Sequence, residues 1–213
     1  MKLKNNIVVI DLEATSNQIN EVKPLKQVHN FIIEIGAVLV SPQLEIVSTF
    51  EHLVRPEEEI TPFIEKLTGI SNAMVKDMPL WPVVSEKFIK WITSYGSFSK
   101  ARLAAWYNYF DMPLLKSVYE HYNTPCPFYG YMIDIKSLAF MWASLKGLSS
   151  KELTVDEAAR KMGITPDGKY HRALTDAKTE AEIFIYIMKD LRDGHYIPNN
   201  DGKPYKYLQI KLE

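Results

Sequence analysis

Residues 7–15, with the sequence IVVIDLEAT, decide how the rest of the chain is interpreted. The β-branched run at 7–12 predicts a buried strand. Asp11 and Glu13 lie two residues apart on that strand, so both side chains point to one face. Acidic residues are rare in strands, and carboxylate oxygens are the ligands that Mg²⁺ and Mn²⁺ prefer. The stretch therefore predicts either a metal-binding edge of a sheet or a strand that has simply reached solvent.

Three further strands are predicted after this one. A polar connection at 14–30 leads to a second strand at 31–40 (FIIEIGAVLV) and a third at 44–54 (LEIVSTFEHLV). The link between the second and third strands is short, which favours an antiparallel meander of the first three strands. Residues 102–107 (RLAAWY) predict a fourth strand.

Helices are predicted around these strands from the spacing of apolar residues. Thr61 and Pro62 are typical of the cap and first position of a helix that Gly69 would end. The other predicted helices cover residues 81–94, 111–122, 134–145, 154–162 and about 172–192. We predict one domain at 1–193, with a polar C-terminal tail at 194–213 packed on it as a small hairpin or an arm.

Composition excludes several classes of protein. The 213 residues carry a formal net charge of −1, so no global positive field draws in nucleic-acid duplex, although a short single-stranded end could still bind. The single cysteine, Cys126, allows no internal disulfide and favours a reducing compartment. The apolar run after MKLKNN is too short for a signal peptide, and no stretch reaches the length of a membrane span. We therefore expect a cytoplasmic protein that does not act at a membrane.

Three more polar residues occur where helices are predicted to start. Asp111 follows the fourth strand in WYNYFDMPLL, and His171 and Asp176 open the last helix in YHRALTDA. Taken singly, Asp111 would be a helix N-cap, Asp176 a charge that favours a helix N-terminus, and His171 a surface or packed histidine. Taken together with Asp11 and Glu13, they form the ligand set of a two-metal phosphodiesterase. The sequence thus predicts that the four carboxylates converge on one pocket with His171 at its rim.

The order and spacing of these five residues resemble the DEDDh exonucleases. The likeness covers about residues 6–192 and includes EIGAVLV, LTGIS and DGKYHRALTDAKTEA. It implies a ribonuclease-H-like α/β fold, a mixed sheet of the antiparallel meander plus parallel strands, flanked by helices. It also implies 3′→5′ exonuclease activity with two Mg²⁺ or Mn²⁺ ions, a single-stranded RNA or DNA 3′ end as substrate, and a nucleoside 5′-monophosphate as product. Within the family, DLEAT, the segment 14–30 and ITPFIEKLTGIS resemble the enhanced-RNAi-type and KapD-like exoribonucleases, which favours RNA.

The resemblance also implies a role for each residue. Asp11 would bridge both metal ions, Glu13 and Asp176 would complete the site of the ion that carries the attacking water, and Asp111 would hold metal largely through water. His171 would take the proton from that water, which suits a side chain that exchanges protons near neutral pH. The implied substrate-binding residues are Ala14, Thr15, Leu67, Asn108 and Phe110, with Thr15 near the terminal sugar and Leu67 against the last base.

Three alternatives stay open on the sequence alone. The enzyme could be a DNA-directed, proofreading-type exonuclease, because a 2′-hydroxyl can be recognised by main-chain groups that leave no sequence signal. It could be a catalytically inactive nucleic-acid-binding scaffold, against which the occupation of all five positions argues. It could also be an unrelated α/β domain with coincidental acids, which an absence of divalent-metal binding would favour. Trp106 is expected to be a core residue, and Glu34 to have either a supporting or a direct role.

Overall fold

The computed structural model describes residues 3–16, 30–98, 101–128, 132–149 and 153–193. Within these residues the strands are β1 (Ile7–Ala14), β2 (Ile32–Val40), β3 (Ile46–Leu53), β4 (Arg102–Ala105) and β5 (Ile133–Asp134). They form one sheet in the order β3-β2-β1-β4-β5. The β1/β2 and β2/β3 pairs are antiparallel, whereas β4 joins β1, and β5 joins β4, in parallel. The predicted mixed sheet, with an antiparallel meander followed by parallel strands, is confirmed.

Helices pack on both faces of this sheet in the described part of the chain. They are α1 (Pro62–Thr68), α2 (Asn72–Val75), α3 (Trp81–Ser94), α4 (Asn108–His121), α5 (Ile135–Leu145), α6 (Val155–Met162) and α7 (Ala173–Arg192). The Thr61 side chain accepts a hydrogen bond from the Ile64 N–H at the start of α1, and Gly69 ends the helix in the left-handed conformation, as predicted. None of the helices in the described residues is long and apolar enough to cross a membrane.

The alternation of side chains along β1 fixes the position of its two acids. The residues Val8, Ile10 and Leu12 pack in a core with α3 and α4 on one face of the sheet. Ile7 and Val9 pack in a second core with α5, α6 and α7 on the other face. Asp11 and Glu13 continue this second face because side chains in a strand alternate with a period of two. The strand therefore carries both carboxylates to the α7 side of the sheet, at its own carboxyl end.

One helix start differs from the prediction by three residues, and two short elements were not predicted. The predicted start of a helix at Asp111 is wrong, because the Tyr107 carbonyl already accepts hydrogen bonds from the Phe110 N–H at 2.8 Å and the Asp111 N–H at 3.3 Å. Asp111 is therefore in the first turn of α4 and is not its N-cap. Ser71 caps the short helix α2, which the sequence analysis missed. Residues 133–134 are a strand, and the Asp134 side chain then caps α5.

Two predicted segments cannot be compared with the structure. Most of the polar connection after β1, at residues 17–29, lies outside the described residues, and so does the C-terminal tail at 194–213. The last helix, by contrast, begins at Ala173 and ends at Arg192, close to the predicted range.

Helix α7 begins directly on β2 at Gly36. A Cβ atom added at Gly36 would lie 2.1 Å from the carbonyl carbon of Ala173 and 2.2 Å from the backbone nitrogen of Leu174. These neighbours are backbone atoms at a helix start, so they cannot move aside as the end of a flexible side chain could. Glycine at position 36 is what lets the first turn of α7 approach the sheet.

We expect Gly36→Ala to lower the free energy of unfolding by roughly 3 kcal/mol or more, because the new methyl group overlaps fixed backbone. Gly69→Ala is the matched control. Its added Cβ would meet nothing within 4 Å, although the residue has φ +76°. The control should lose only about 1–2 kcal/mol from left-handed strain. Urea unfolding of both variants measures the difference, and equal losses would show that the close approach at Gly36 has no cost.

Candidate active site

A cavity of about 800 Å³ opens at the carboxyl end of β1. The five residues predicted to be catalytic all lie on its wall, namely Asp11, Glu13, Asp111, His171 and Asp176. Asp11 and Glu13 lie on β1, and Asp111 lies in the first turn of α4. Asp176 lies in the first turn of α7, and His171 lies in the turn just before that helix. The structure thus brings together acids that are spread over most of the chain.

The two acids of β1 lie in a strongly negative environment. Burial raises the pKa of Asp11 well above its ordinary value, and the nearby Glu180 and Asp111 carboxylates raise it further. Burial also raises the pKa of Glu13 from its ordinary 4.5 to about 8, with Asp176 as the next largest cause. The neutral forms are favoured here because burial and like charges both oppose ionisation.

Asp111 reaches this cluster because the start of α4 lies against β1. Asp111 is 4% exposed, and its carboxylate accepts a hydrogen bond from the backbone N–H of Leu12. Burial nevertheless raises the pKa of Asp111 to about 8, since that hydrogen bond offsets only part of the desolvation. The contact with Leu12 ties α4 to the strand that carries Asp11 and Glu13.

His171 and Asp176 are held together by the turn before α7. The backbone N–H of His171 donates to Oδ2 of Asp176 at 2.8 Å. His171 has φ +63°, a left-handed conformation that is uncommon for residues other than glycine. One ligand atom from each of Glu13, His171 and Asp176 lies within 4.8 Å of the other two. The left-handed backbone conformation thus occurs at the histidine that lies next to Glu13 and Asp176.

Glu34 fixes the start of α7 from the neighbouring strand. The side chain is fully buried and lies opposite Glu13 in the β1/β2 register. It accepts hydrogen bonds from Nη2 of Arg172 at 2.6 Å, from Nε of Arg172 at 3.1 Å and from the backbone N–H of Ala173 at 2.9 Å. This charge-assisted pairing explains how a fully buried carboxylate is tolerated, and it assigns Glu34 a supporting role.

The residues predicted to bind substrate are divided between the cavity and its surroundings. Leu67 and Phe110 line the cavity. Ala14 and Thr15 are buried and are not among the residues that line it, and the Thr15 hydroxyl accepts from the Phe31 N–H at 3.0 Å and donates to Oδ1 of Asn30 at 3.3 Å. Asn108 begins α4, but its side chain lies outside the described residues. A role in substrate binding stays a prediction for all five.

Trp106 belongs mainly to the core, as expected. It is 7% exposed and packs with residues of α5 and α7 while one side borders the cavity. Its backbone N–H donates to Oε2 of Glu180 at 2.9 Å. Glu180 itself was missed in the sequence analysis, although it follows Asp176 by four residues and helical spacing places such residues on one face.

The cavity fits a hard divalent cation. Three carboxylate oxygens are buried and have no hydrogen-bond partner among the described residues: Oδ2 of Asp11, Oδ1 of Asp111 and Oδ1 of Asp176. Buried polar atoms without a partner are rare in proteins and costly. Mg²⁺ and Mn²⁺ take such oxygens as ligands, so bound cations would supply the partners that these oxygens lack.

Stability without metal should therefore fall as the pH rises. The folded protein keeps a proton on Glu13 up to about pH 8, whereas the unfolded chain releases it near the ordinary value of 4.5. The stabilisation is complete below about 4.5 and is lost as the pH rises through about 8. We expect the melting temperature in EDTA to decrease between pH 5 and pH 8, and Mg²⁺ or Mn²⁺ to restore it. Glu13→Gln should make this decrease smaller without abolishing it, because the pKa values of Asp11 and Asp111 stay raised; a melting temperature that rises with pH in EDTA would contradict the electrostatics described above.

Comparison with known proteins provides further findings. A family model described as Exonuclease (RNase_T) matches residues 8–184. Over 193 residues the chain is 32% identical to DNA polymerase III PolC-type of Caldanaerobacter subterraneus subsp. tengcongensis, which covers 90% of this chain and 12% of that protein. Over 201 residues it is 29% identical to 3′-5′ exoribonuclease 1 of Rattus norvegicus, which covers 86% of this chain and 53% of that protein. The chain thus spans about half or less of the length of these two relatives.

A solved structure covers the chain more completely. The nuclease domain of 3′hExo, described as a DEDDh family member bound to rAMP, matches with a TM-score of 0.73 at 28% identity. The match covers 89% of this chain and 93% of that one. The similarity therefore extends over a whole domain in both proteins.

Proposed function

The chain belongs to the exonuclease family, and on that premise we propose that it is a divalent-metal-dependent hydrolase that removes 5′-mononucleotides from the 3′ end of single-stranded RNA. The observation that carries the proposal is the convergence of four carboxylates and one histidine on a single cavity. An inactive scaffold would have no need to keep buried acids at the cost that burial imposes on Asp11 and Asp111.

Four carboxylates would hold the metal ions. As the family resemblance implies, Asp11 would serve both cations, Glu13 and Asp176 would hold one of them, and Asp111 would act largely through water. Two divalent cations, when bound, supply an activated water and relief of charge on the phosphate and on the leaving oxygen. The protein's own contribution is to hold the ligands rigidly, through the Leu12 contact to Asp111 and the His171 N–H contact to Asp176.

His171 is proposed as the general base. Its side chain is exposed on the wall of the cavity and stands beside Glu13 and Asp176. From this position a neutral imidazole nitrogen can accept the proton of an attacking water.

Leu67 and Phe110 would receive the terminal base. Both line the cavity, and neither offers a hydrogen-bonding group that distinguishes one base from another. Stacking and apolar contact recognise any base, which is what an exonuclease requires. The single lysine on the cavity wall among the described residues is Lys136, which could meet a phosphate of the strand.

The preference for RNA rests on resemblance. The motifs DLEAT and ITPFIEKLTGIS, the similarity to an exoribonuclease and the likeness to a nuclease domain bound to rAMP all support it. A DNA-directed exonuclease is the second candidate, and the similarity to a PolC-type DNA polymerase III favours it.

The decisive experiment compares matched RNA and DNA single strands of one sequence, each labelled at the 5′ end. We expect a ladder that shortens from the 3′ end, release of nucleoside 5′-monophosphates, and faster hydrolysis of RNA. A 3′-phosphate should slow the reaction, because the terminal sugar would no longer fit near Thr15. Cleavage of a circular single strand at a comparable rate would show an endonuclease, and faster hydrolysis of DNA would favour the second candidate.

A further inference from the structure

Glu180 is a fifth carboxylate on the wall of the cavity, and the proposed catalytic set does not include it. It lies on α7 one helical turn after Asp176 and is 2% exposed. Its Oε2 accepts the hydrogen bond of the Trp106 N–H at 2.9 Å. The ion pairs found among the described residues include none with Glu180. A deeply buried acid is thus held by one neutral donor.

The electrostatic surroundings make this carboxylate costly without a cation. Glu180 is the largest single charged cause of the raised pKa of Asp11, and Asp111 and Asp176 in turn raise the pKa of Glu180. A glutamine could accept the Trp106 N–H equally well and would add no charge. The hydrogen bond alone therefore does not explain why an acidic residue occupies this position.

The hydrogen bond instead connects two elements that carry parts of the candidate site. Trp106 directly follows β4 and precedes α4, the helix that carries Asp111. By accepting its N–H, Glu180 fastens the end of β4 to α7, the helix that carries Asp176. One oxygen is fixed to the protein in this way, on the wall of the cavity that Asp11, Asp111 and Asp176 also line.

We propose that Glu180 is a positioning residue of the metal site, whose negative charge strengthens divalent-cation binding by the neighbouring carboxylates and whose Oε2 aligns β4 with α7. This inference rests on the proposed function, because it assumes that the cluster binds metal. Groups that surround a metal's direct ligands commonly change metal affinity by about 10–100-fold when they are substituted.

Two substitutions separate the charge from the hydrogen bond. Glu180→Gln keeps an acceptor for Trp106 and removes the charge, whereas Glu180→Asp keeps the charge on a side chain that is one methylene shorter. We expect Glu180→Gln to weaken Mn²⁺ binding by about 10–100-fold, measured by titration calorimetry on the intact protein. In EDTA it should melt at or above the wild-type temperature, because a buried like charge is gone. Glu180→Asp should show the opposite pattern, a lower melting temperature with Mn²⁺ affinity close to that of the wild type.

Glu182→Gln is the matched control, since Glu182 lies two residues further along the same helix and is exposed. It should leave both measurements unchanged. If Glu180→Gln binds Mn²⁺ as tightly as the wild type, or if Glu180→Asp loses as much affinity as Glu180→Gln, the proposed role of the charge is wrong. If Glu180→Gln does not fold, the affinity of Glu180→Asp alone decides. A wild-type protein that binds no Mn²⁺ would instead refute the proposed function itself.

Discussion

Asp11→Asn should lower turnover by about 10³-fold or more while the protein stays folded. Asp11 is the residue proposed to bridge both cations, and its buried Oδ2 has no partner among the described residues. Asparagine has the same size but no charge, and it places either a weaker ligand or an NH₂ donor where a cation should bind. Loss of one preorganised electrostatic stabiliser of a transition state already costs roughly 10²–10³-fold, and a bridging ligand acts on two ions at once.

The stability of the same variant makes the test specific. Since burial and neighbouring acids oppose ionisation of Asp11, its replacement should leave the metal-free melting temperature equal to or above that of the wild type. The rise in melting temperature that Mg²⁺ or Mn²⁺ produces should shrink, because fewer ligands stabilise the bound state. EDTA should abolish wild-type activity, and either cation should restore it.

Asp77→Asn is the control for this experiment. The Asp77 side chain is 82% exposed, and its Oδ2 lies 4.0 Å from Nζ of Lys76, an ion pair too long for a hydrogen bond. The same chemical change there should alter neither turnover nor the response to metal, because exposed ion pairs contribute little. An Asp11→Asn variant with wild-type turnover would rule out the two-metal mechanism for this chain.

The antiparallel part of the sheet and the shared face of the two β1 acids were predictable because their signals are local. The alternation along β1 places Asp11 and Glu13 on one face whatever lies further along the chain. The short link between the second and third strands dictates their antiparallel pairing in the same way. The parallel strands were expected from the family resemblance, and the solved nuclease domain supports the ribonuclease-H-like fold over almost the whole chain.

Features that depend on distant contacts escaped the sequence analysis. Glu180 matters because its partner Trp106 lies 74 residues away, and no local pattern reports that contact. Gly36 lies within an apolar strand, and only the structure shows that α7 touches it. The start of α4 was placed three residues late because Asp111 resembles an N-cap, whereas the backbone of Tyr107 begins the helix without a side-chain cap.

The preference between RNA and DNA also depends on contacts that no local sequence pattern reports. A 2′-hydroxyl can be recognised by backbone groups, whose positions depend on the fold and not on residue type. The chain is similar to both a PolC-type DNA polymerase III and an exoribonuclease, so similarity alone does not decide between DNA and RNA. The likeness to enhanced-RNAi-type and KapD-like enzymes therefore stays a prediction that the matched RNA and DNA strands test.

His171→Ala should reduce turnover by about 10²–10⁴-fold, the usual effect of losing a positioned acid–base group. Metal binding should persist, because the four carboxylates remain and the contact to Asp176 is made by the backbone N–H of residue 171. At saturating Mn²⁺ the wild-type rate should rise with pH, because a general base acts only in its unprotonated form. That rise should disappear in the variant.

The backbone at this position calls for a second variant. Residue 171 has φ +63°, a left-handed conformation that histidine and asparagine adopt more readily than alanine does. His171→Asn should therefore stay as stable as the wild type and lose as much activity as His171→Ala. If instead both variants keep the wild-type rate per folded molecule and its pH profile, His171 only shapes the turn before α7, and another group must accept the proton. Turnover, pH profile and melting temperature are therefore measured on both variants. If His171 is the base, His171→Asn loses the pH-dependent rise in rate but melts at the wild-type temperature. If His171 only shapes the turn, the variants change the melting temperature and not the rate.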